Sequence, residues 1–344
     1  MDLAILWFFV VGVMFVMYFI LDGFDFGVGM SLRLIGRSNA ERRQMINSIG
    51  PVWDLNETWV IVGGAALFAA FPEWYATLFS GMYLPLLLIL LALIVRAVSF
   101  EYRHQRDSAK WRNGWDWCIA IGSFVPAFLW GVAFANLARG LVMEPNPAGG
   151  ALYTGGFFAL LNPYALLGGV TTTLIFLAHG AVFLALKTTD FVRERARVLA
   201  SRTIIVTLVV GGAFLIWTWI NTPHALIAIV ALLCAVSLVV AWFANKAGRE
   251  GIAFSAMVGT VATAVLSIYL SLFVRDGGPF VMPASNPAGD FVGLTVENAA
   301  SSAYTLEVMT WTALICLPFV LAYQAWTYWV FRKRVVAPAA TAVH

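Results

Sequence analysis

The sequence predicts an all-α polytopic membrane protein with about nine transmembrane helices. Three observations carry that prediction. Of the 344 residues, 61% are hydrophobic and only 11% charged, where a soluble domain carries about 25% charged residues. Apolar runs of spanning length, about 20 residues, recur along the whole chain. Basic residues gather in every second connection between those runs, as expected for loops retained on the cytoplasmic side of a membrane.

In chain order the runs fall at about residues 3–30, 47–71, 74–100, 114–142, 161–187, 203–221, 225–243, 252–274 and 303–330, and they are expected to form a single transmembrane domain. The first run has no basic leader (Asp2 is acidic), no small-residue cleavage site, and too great a length for a signal peptide. Arg33, Arg37, Arg42 and Arg43 follow it. The second basic segment holds Arg103, Arg106, Lys110 and Arg112, and the third holds Lys187, Arg193, Arg195, Arg197 and Arg202. Lys246 and Arg249 form the fourth, and Arg332, Lys333 and Arg334 follow the last run. Of the 21 basic residues, only Arg96, Arg139 and Arg275 lie elsewhere. Strict alternation places the N-terminus outside and the C-terminus in the cytoplasm.

The intervening loops, such as Glu144-Pro-Asn-Pro-Ala-Gly-Gly150 and Pro283-Ala-Ser-Asn-Pro287, are rich in Pro, Gly and Asn and read as irregular surface segments. Trp326-Thr-Tyr-Trp329 reads as an interfacial anchor. Gly23 with Gly27, and Gly64 with Ala65 and Ala69, offer close-packing helix faces. Cys118, Cys234 and Cys316 are far apart in apolar runs, so neither a disulfide nor a metal site follows. The net charge of +3 is too small to point to nucleic acid.

Charged residues inside spans are costly and mark function or tight pairing. Asp22 and Asp25 lie near the cytoplasmic end of the first run; Asp54 and Glu57, also three apart, open the second. Arg96 and Glu101 close the third, Asp116 opens the fourth, and His179 sits within the fifth. One arginine can pair with one or two carboxylates through its planar fork. Four acids exceed that capacity, and an unpaired acid in low dielectric holds a proton readily. The set therefore suits proton transfer from the cytoplasm; a structural ion-pair network tying the first three spans is the competing reading. Haem needs axial ligands, and His179 is the one histidine in a span; His104 and His224 lie in loops, and His344 is the terminus. No catalytic residue is expected in this chain.

Several segments carry a specific resemblance. They are Leu21-Asp-Gly-Phe-Asp-Phe-Gly-Val-Gly-Met30, Arg42-Arg-Gln-Met-Ile-Asn-Ser-Ile-Gly-Pro51, Trp53-Asp-Leu-Asn-Glu-Thr-Trp59, Gly64-Ala-Ala-Leu-Phe-Ala-Ala-Phe-Pro72, Arg96-Ala-Val-Ser-Phe-Glu-Tyr-Arg103 and Val308-Met-Thr-Trp311. Together they resemble subunit II of bacterial cytochrome bd quinol oxidases over essentially the whole length. One departure is Leu55, a branched side chain where the family usually has a small residue beside Asp54.

The resemblance implies two four-helix bundles plus one peripheral helix, in the bacterial plasma membrane. It implies a haem-bearing partner, subunit I, which holds two haems b and one haem d, oxidises quinol and reduces dioxygen to water. Subunit II would stabilise that partner and supply a cytoplasmic proton route, or a dioxygen route, to it. By residue, the resemblance points first to Trp53, Asp54, Asp25 and Arg96, for proton supply or haem-site integrity. Glu57 and Asp22 follow as further proton-path residues, and Glu101 as a structural partner of Arg96 or Arg103. It leaves room for a small accessory subunit and for a quinone or lipid between helices. From the residues alone, a proton-coupled secondary transporter and a purely structural assembly subunit stand as alternatives.

Overall fold

The computed structural model describes residues 2–147, 149–288 and 291–336; His344 lies outside them. The long helices follow the apolar runs, and their ends are set by local chemistry. Helix α1 (Leu3–Ile35) starts at Asp2, whose carboxylate accepts from the Ala4 N–H. A short helix α2 (Asn39–Ile49) is followed by α3 (Trp53–Ala70), α4 (Pro72–Gly81), α5 (Tyr83–Tyr102) and α6 (Ala109–Arg139). The second half holds α7 (Gly156–Ala159), α8 (Pro163–Lys187), α9 (Asp190–Asn221), α10 (Ala225–Lys246), α11 (Glu250–Phe273), α12 (Val296–Ala299) and α13 (Ala303–Val330).

Two expected spans are broken. The run at 47–71 divides at Gly50-Pro51-Val52, where proline has no N–H to continue a helix. The run at 74–100 divides at Met82 into α4 and α5. Among the described residues eight helices are long and apolar enough to cross a membrane. Helix α3 is not among them, because its 18 residues begin with Asp54, Asn56 and Glu57. Eight of the nine predicted spans thus have a helix of spanning composition, and the remaining one corresponds to a shorter helix with a polar first turn.

Helices α1, α3, α5 and α6 pack as one group and α8, α9, α10 and α11 as another, joined where α8 meets α1 and α6. The junction is very close. A Cβ on Gly27 would stand 1.9 Å from the Phe176 carbonyl oxygen, and one on Gly180 would stand 2.3 Å from the Gly27 backbone. Of the predicted glycine faces, Gly23 and Gly27 are therefore packed, whereas nothing lies within 4 Å of a Cβ on Gly64. Helix α13 rests on α1 and α3 at the periphery, with only Leu306, Gln324 and Thr327 buried.

The loops expected to be irregular form two small antiparallel hairpins. Strands β1 (Met143–Pro145) and β2 (Ala151–Tyr153) pair, as do β3 (Phe280–Ala288) and β4 (Phe291–Thr295). The hairpins are bound together by a Leu141–Ala284 bridge and by the Met143 N–H donating to Asn286 Oδ1. Buried Val281 and Met282 explain the order: this lid has its own apolar face.

At the opposite, basic end, a reciprocal cap fixes α2. Ser38 Oγ accepts from the Glu41 N–H at 3.2 Å, while Glu41 Oε2 accepts from the N–H groups of Arg37 and Ser38. Arg195 of α9 pairs with the other Glu41 oxygen. Partial burial pushes the Glu41 carboxyl up, but these donors outweigh it and hold it below the usual range. Its contribution is therefore complete at neutral pH and is lost as pH falls below the ordinary glutamate value of about 4.3. Ser38→Ala should cost about 1 kcal/mol, read as a lower thermal midpoint. The midpoint gap between the native chain and Glu41→Gln should narrow in acid.

Candidate functional site: a buried charged cluster between α1, α3, α5 and α13

Arg96 is fully buried midway between two acids. Its Nη1 donates to Asp22 Oδ1 at 3.1 Å and stands 3.6 Å from Glu57 Oε2. Asp22 is as inaccessible as Arg96, whereas the Glu57 side chain keeps 19% of its surface. The guanidinium plane is covered by Phe26 at 4.6 Å and Phe100 at 5.6 Å, both aromatic faces that favour a cation. Gly122 of α6 makes this placement feasible, because a Cβ there would lie 2.9 Å from Arg96 Cβ.

Asp25 joins the cluster through a neutral side chain. Asn56 Nδ2 donates to Asp25 Oδ2 at 2.7 Å and to the Leu21 carbonyl at 3.3 Å. Its Oδ1 accepts from Tyr328 OH at 2.8 Å and from Gln324 Nε2 at 3.2 Å. Gln324 in turn accepts from Trp59 Nε1 at 3.4 Å. One asparagine thus ties α1, α3 and the peripheral α13 together.

Among the described residues several polar atoms in the cluster have no hydrogen-bond partner: Asp22 Oδ2, Asp25 Oδ1, Glu57 Oε2, and Arg96 Nε and Nη2. Buried polar groups are usually satisfied, so a concentration of open donors and acceptors marks a site built for something besides packing.

The structure brings Asp22, Asp25, Glu57 and Arg96 together, as their spacing led us to expect. It separates Asp54, which is exposed on α3 with no ion pair among the described residues. Trp53 is half-buried against Phe100 at 5.1 Å, which places it beside the Arg96 cover. Leu55 is half-buried next to Asp54. Glu101 is exposed and pairs with neither expected arginine. Arg103 instead binds Asp116 at 2.6 Å, a buried carboxylate that also receives Arg42 at 2.9 Å.

Asn56, Gln324 and Tyr328 escaped the sequence reading. Their signal was present: Asn56 sits between the two acids of α3, and Gln324 and Tyr328 are four apart, hence on one helix face. Trp326 and Trp329 are exposed in keeping with an interfacial anchor, with Arg332 over the Trp329 ring at 4.4 Å. Tyr328 does not belong with them; it points inward.

His179 is wholly buried, with Nε2 at 3.0 Å from the Ile20 carbonyl and its ring stacked on Phe254 at 4.9 Å. That is the geometry of a packed side chain, and no second histidine in a described span could complete a bis-histidine site. Among the described residues no group of three metal-ligating side chains comes together.

Fold and cluster define a multi-pass helical membrane protein with ionisable groups enclosed between its helices. Comparison with known proteins narrows this class. Residues 3–331 match the family described as cytochrome bd terminal oxidase subunit II. The chain is 42% identical to the cytochrome bd ubiquinol oxidase subunit 2 of Bacillus subtilis, covering 96% of each. It is 38% identical to the cytochrome bd-I ubiquinol oxidase subunit 2 of Escherichia coli, covering 97% of this chain and 95% of that one. The fold is shared with a chain in the structure of the bd oxidase from Geobacillus thermodenitrificans, at a TM-score of 0.70 and 14% identity, covering 96% and 98%. The chain belongs to the cytochrome bd terminal oxidase subunit II family, and so to an oxidoreductase complex of the respiratory chain.

Removing the connecting amide tests the geometry. Asn56→Ala strands Asp25 Oδ2 and the Tyr328 hydroxyl, each unsatisfied buried group costing about 1–3 kcal/mol. A thermal midpoint well below that of Asn47→Ala, an exposed change on the neighbouring α2, is the expected result.

Proposed function

We propose that this chain is the haem-free subunit of a quinol:oxygen oxidoreductase in a bacterial plasma membrane. It braces a haem-bearing subunit I and passes protons from the cytoplasm towards the oxygen-reduction site. The observation that carries this reading is the excess of carboxylate over guanidinium around Arg96, with an oxygen of Asp22 and of Asp25 lacking a hydrogen bond among the described residues and Glu57 Oε2 held only by its 3.6 Å approach to Arg96. A brace alone would be served by one satisfied pair. Open acceptors beside open donors suit transient water and a moving proton.

The route runs from Asp25, held in place by Asn56, through Asp22 and Glu57 to the exposed side of α3, where Asp54 stands. Below Asp54 on the same face are Thr58, Ile61, Val62, Ala65 and Phe68, all exposed. A carboxylate heading an apolar stripe would be expensive against lipid, so the partner subunit covers this face and Asp54 hands on the proton there. Nine membrane crossings, with the basic end of the molecule cytoplasmic, give the acids their source of protons. The complex-level haems, two b and one d, belong to subunit I in this reading, because His179 is committed to packing. Bound alone to this chain, a quinone or lipid would be filler between helices.

The structural reading, in which the acids only hold the helices, is favoured by the full burial of both Arg96 and Asp22. Kinetics separate the two. With partner content measured alongside, Asp25→Asn and Asp54→Asn in assembled complexes should lower oxygen consumption by about 100-fold, the lower range for a positioned proton donor. The loss should become smaller as pH falls. Native turnover in both fully assembled variants would leave only the brace. A tag on this chain should also recover a haem-bearing partner; its absence would favour a transporter working alone.

A further inference from the structure

A cleft of about 350 Å³ opens at the basic end, between the α2–α3 turn, the ends of α8 and α11, and the segment after α13. Asn47 and Ser48 line one wall and Tyr328 lies at the inner side. The outer side is closed by the C-terminal segment, which is strapped down: the Val335 N–H donates to the Lys187 carbonyl at 2.7 Å, and Gln44 Nε2 donates to the Val335 carbonyl at 2.8 Å. Tyr328 therefore has two neighbourhoods. Its ring borders the cleft and Phe24, at 6.5 Å between centroids, while its hydroxyl is bonded to Asn56, the residue that holds Asp25.

We propose that this cleft is the cytoplasmic mouth of the proton route and that Tyr328 is its gate. The inference rests on the proton-supply reading above and deepens it. Two bonds, at 2.8 and 2.7 Å, link the Tyr328 hydroxyl through Asn56 to Asp25. A neutral amide does not relay a proton readily, so Asn56 works as a keeper. While Tyr328 donates to Asn56, no path leads inward. When the hydroxyl leaves Asn56 it can give its proton to Asp25 Oδ1, which has no hydrogen-bond partner among the described residues, while taking one from a hydronium that arrives through the cleft and leaves as water. Proton count is unchanged on tyrosine and rises by one on the aspartate.

Charges around the cleft are one-sided. Lys187, Arg332 and Lys333 line it, and among the described residues no carboxylate does. Lys187 Nζ is turned onto the Phe331 and Lys333 carbonyls, which anchors the strap. Such a rim keeps hydronium dilute in the cleft, so each ion arrives singly from bulk solvent and none is stored there.

The test uses the assembled oxidase. Asn47→Cys places a thiol on the exposed wall of the cleft, where the side chain makes no hydrogen bond; the unlabelled variant should turn over normally. Labelling with a bulky neutral maleimide should slow oxygen consumption by the same factor as Asp25→Asn, while identical treatment of the native complex, in which this chain carries three cysteines, should not. Tyr328→Phe should lower kcat at unchanged quinol KM and enlarge the ratio of rates in H₂O and D₂O. Full labelling without loss of rate, beside a slow Asp25→Asn, would overturn the mouth and leave the proton route standing. An unchanged isotope ratio in Tyr328→Phe would overturn the gate. A normal Asp25→Asn would remove the route itself.

Discussion

A single guanidinium with no access to solvent sets the terms for the first half of this molecule. Arg96 can be charged where it sits only because Asp22 and Glu57 are within 3.1 and 3.6 Å and two phenyl rings cover its faces. The acids in turn tolerate their depth only because Arg96 is there. Breaking such a pair is far more damaging than replacing both members, so the dependence is mutual. Everything that brings α1, α3 and α5 to one point serves that contact, including the missing side chain at Gly122.

Asn56 extends the cluster without adding charge. Three helices meet on its one amide, and through it the loosely attached α13 becomes part of the site. This division of labour is economical: charge is concentrated on α1, α3 and α5, while the neutral polar groups of α13 control what reaches it. The second ionic group, Asp116 with Arg42 and Arg103, lies closer to the basic surface and is fully paired on both oxygens. The contrast that separates the two groups lies in their carboxylates: both Asp116 oxygens are paired, whereas Asp22 and Asp25 each keep an open oxygen among the described residues, and this is the structural reason to assign them different work.

Much of this was legible in the sequence, for identifiable reasons. Apolar run length and basic alternation locate eight long helices, since both depend on composition averaged over many residues. The meeting of Asp22 and Glu57 with Arg96 followed from placing charges at a common depth. Direction around a helix axis did not follow: Asp54 and Glu57 are one turn apart on α3, yet one is exposed and the other faces Arg96. Partners chosen by proximity in sequence also failed, because Arg103 takes Asp116 from α6 in preference to nearby Glu101. Each hairpin pairs locally, but what orders the two was hidden: their Pro- and Gly-rich segments meet across more than a hundred residues, at Leu141 with Ala284 and Met143 with Asn286. Tyr328 was hidden by its tryptophan neighbours, whose anchoring role was read onto it as well.

The central claim is that Arg96 and the acids are energetically one unit, and a double-mutant cycle measures this directly. Arg96→Met, Asp22→Asn and the combined variant would be purified with the partner subunit and compared by yield of intact complex and thermal midpoint. The account predicts a severe loss for Arg96→Met, of about 3–5 kcal/mol for an uncompensated buried charge, and a large recovery in the double variant. A double variant as unstable as the sum of its two single changes would contradict it.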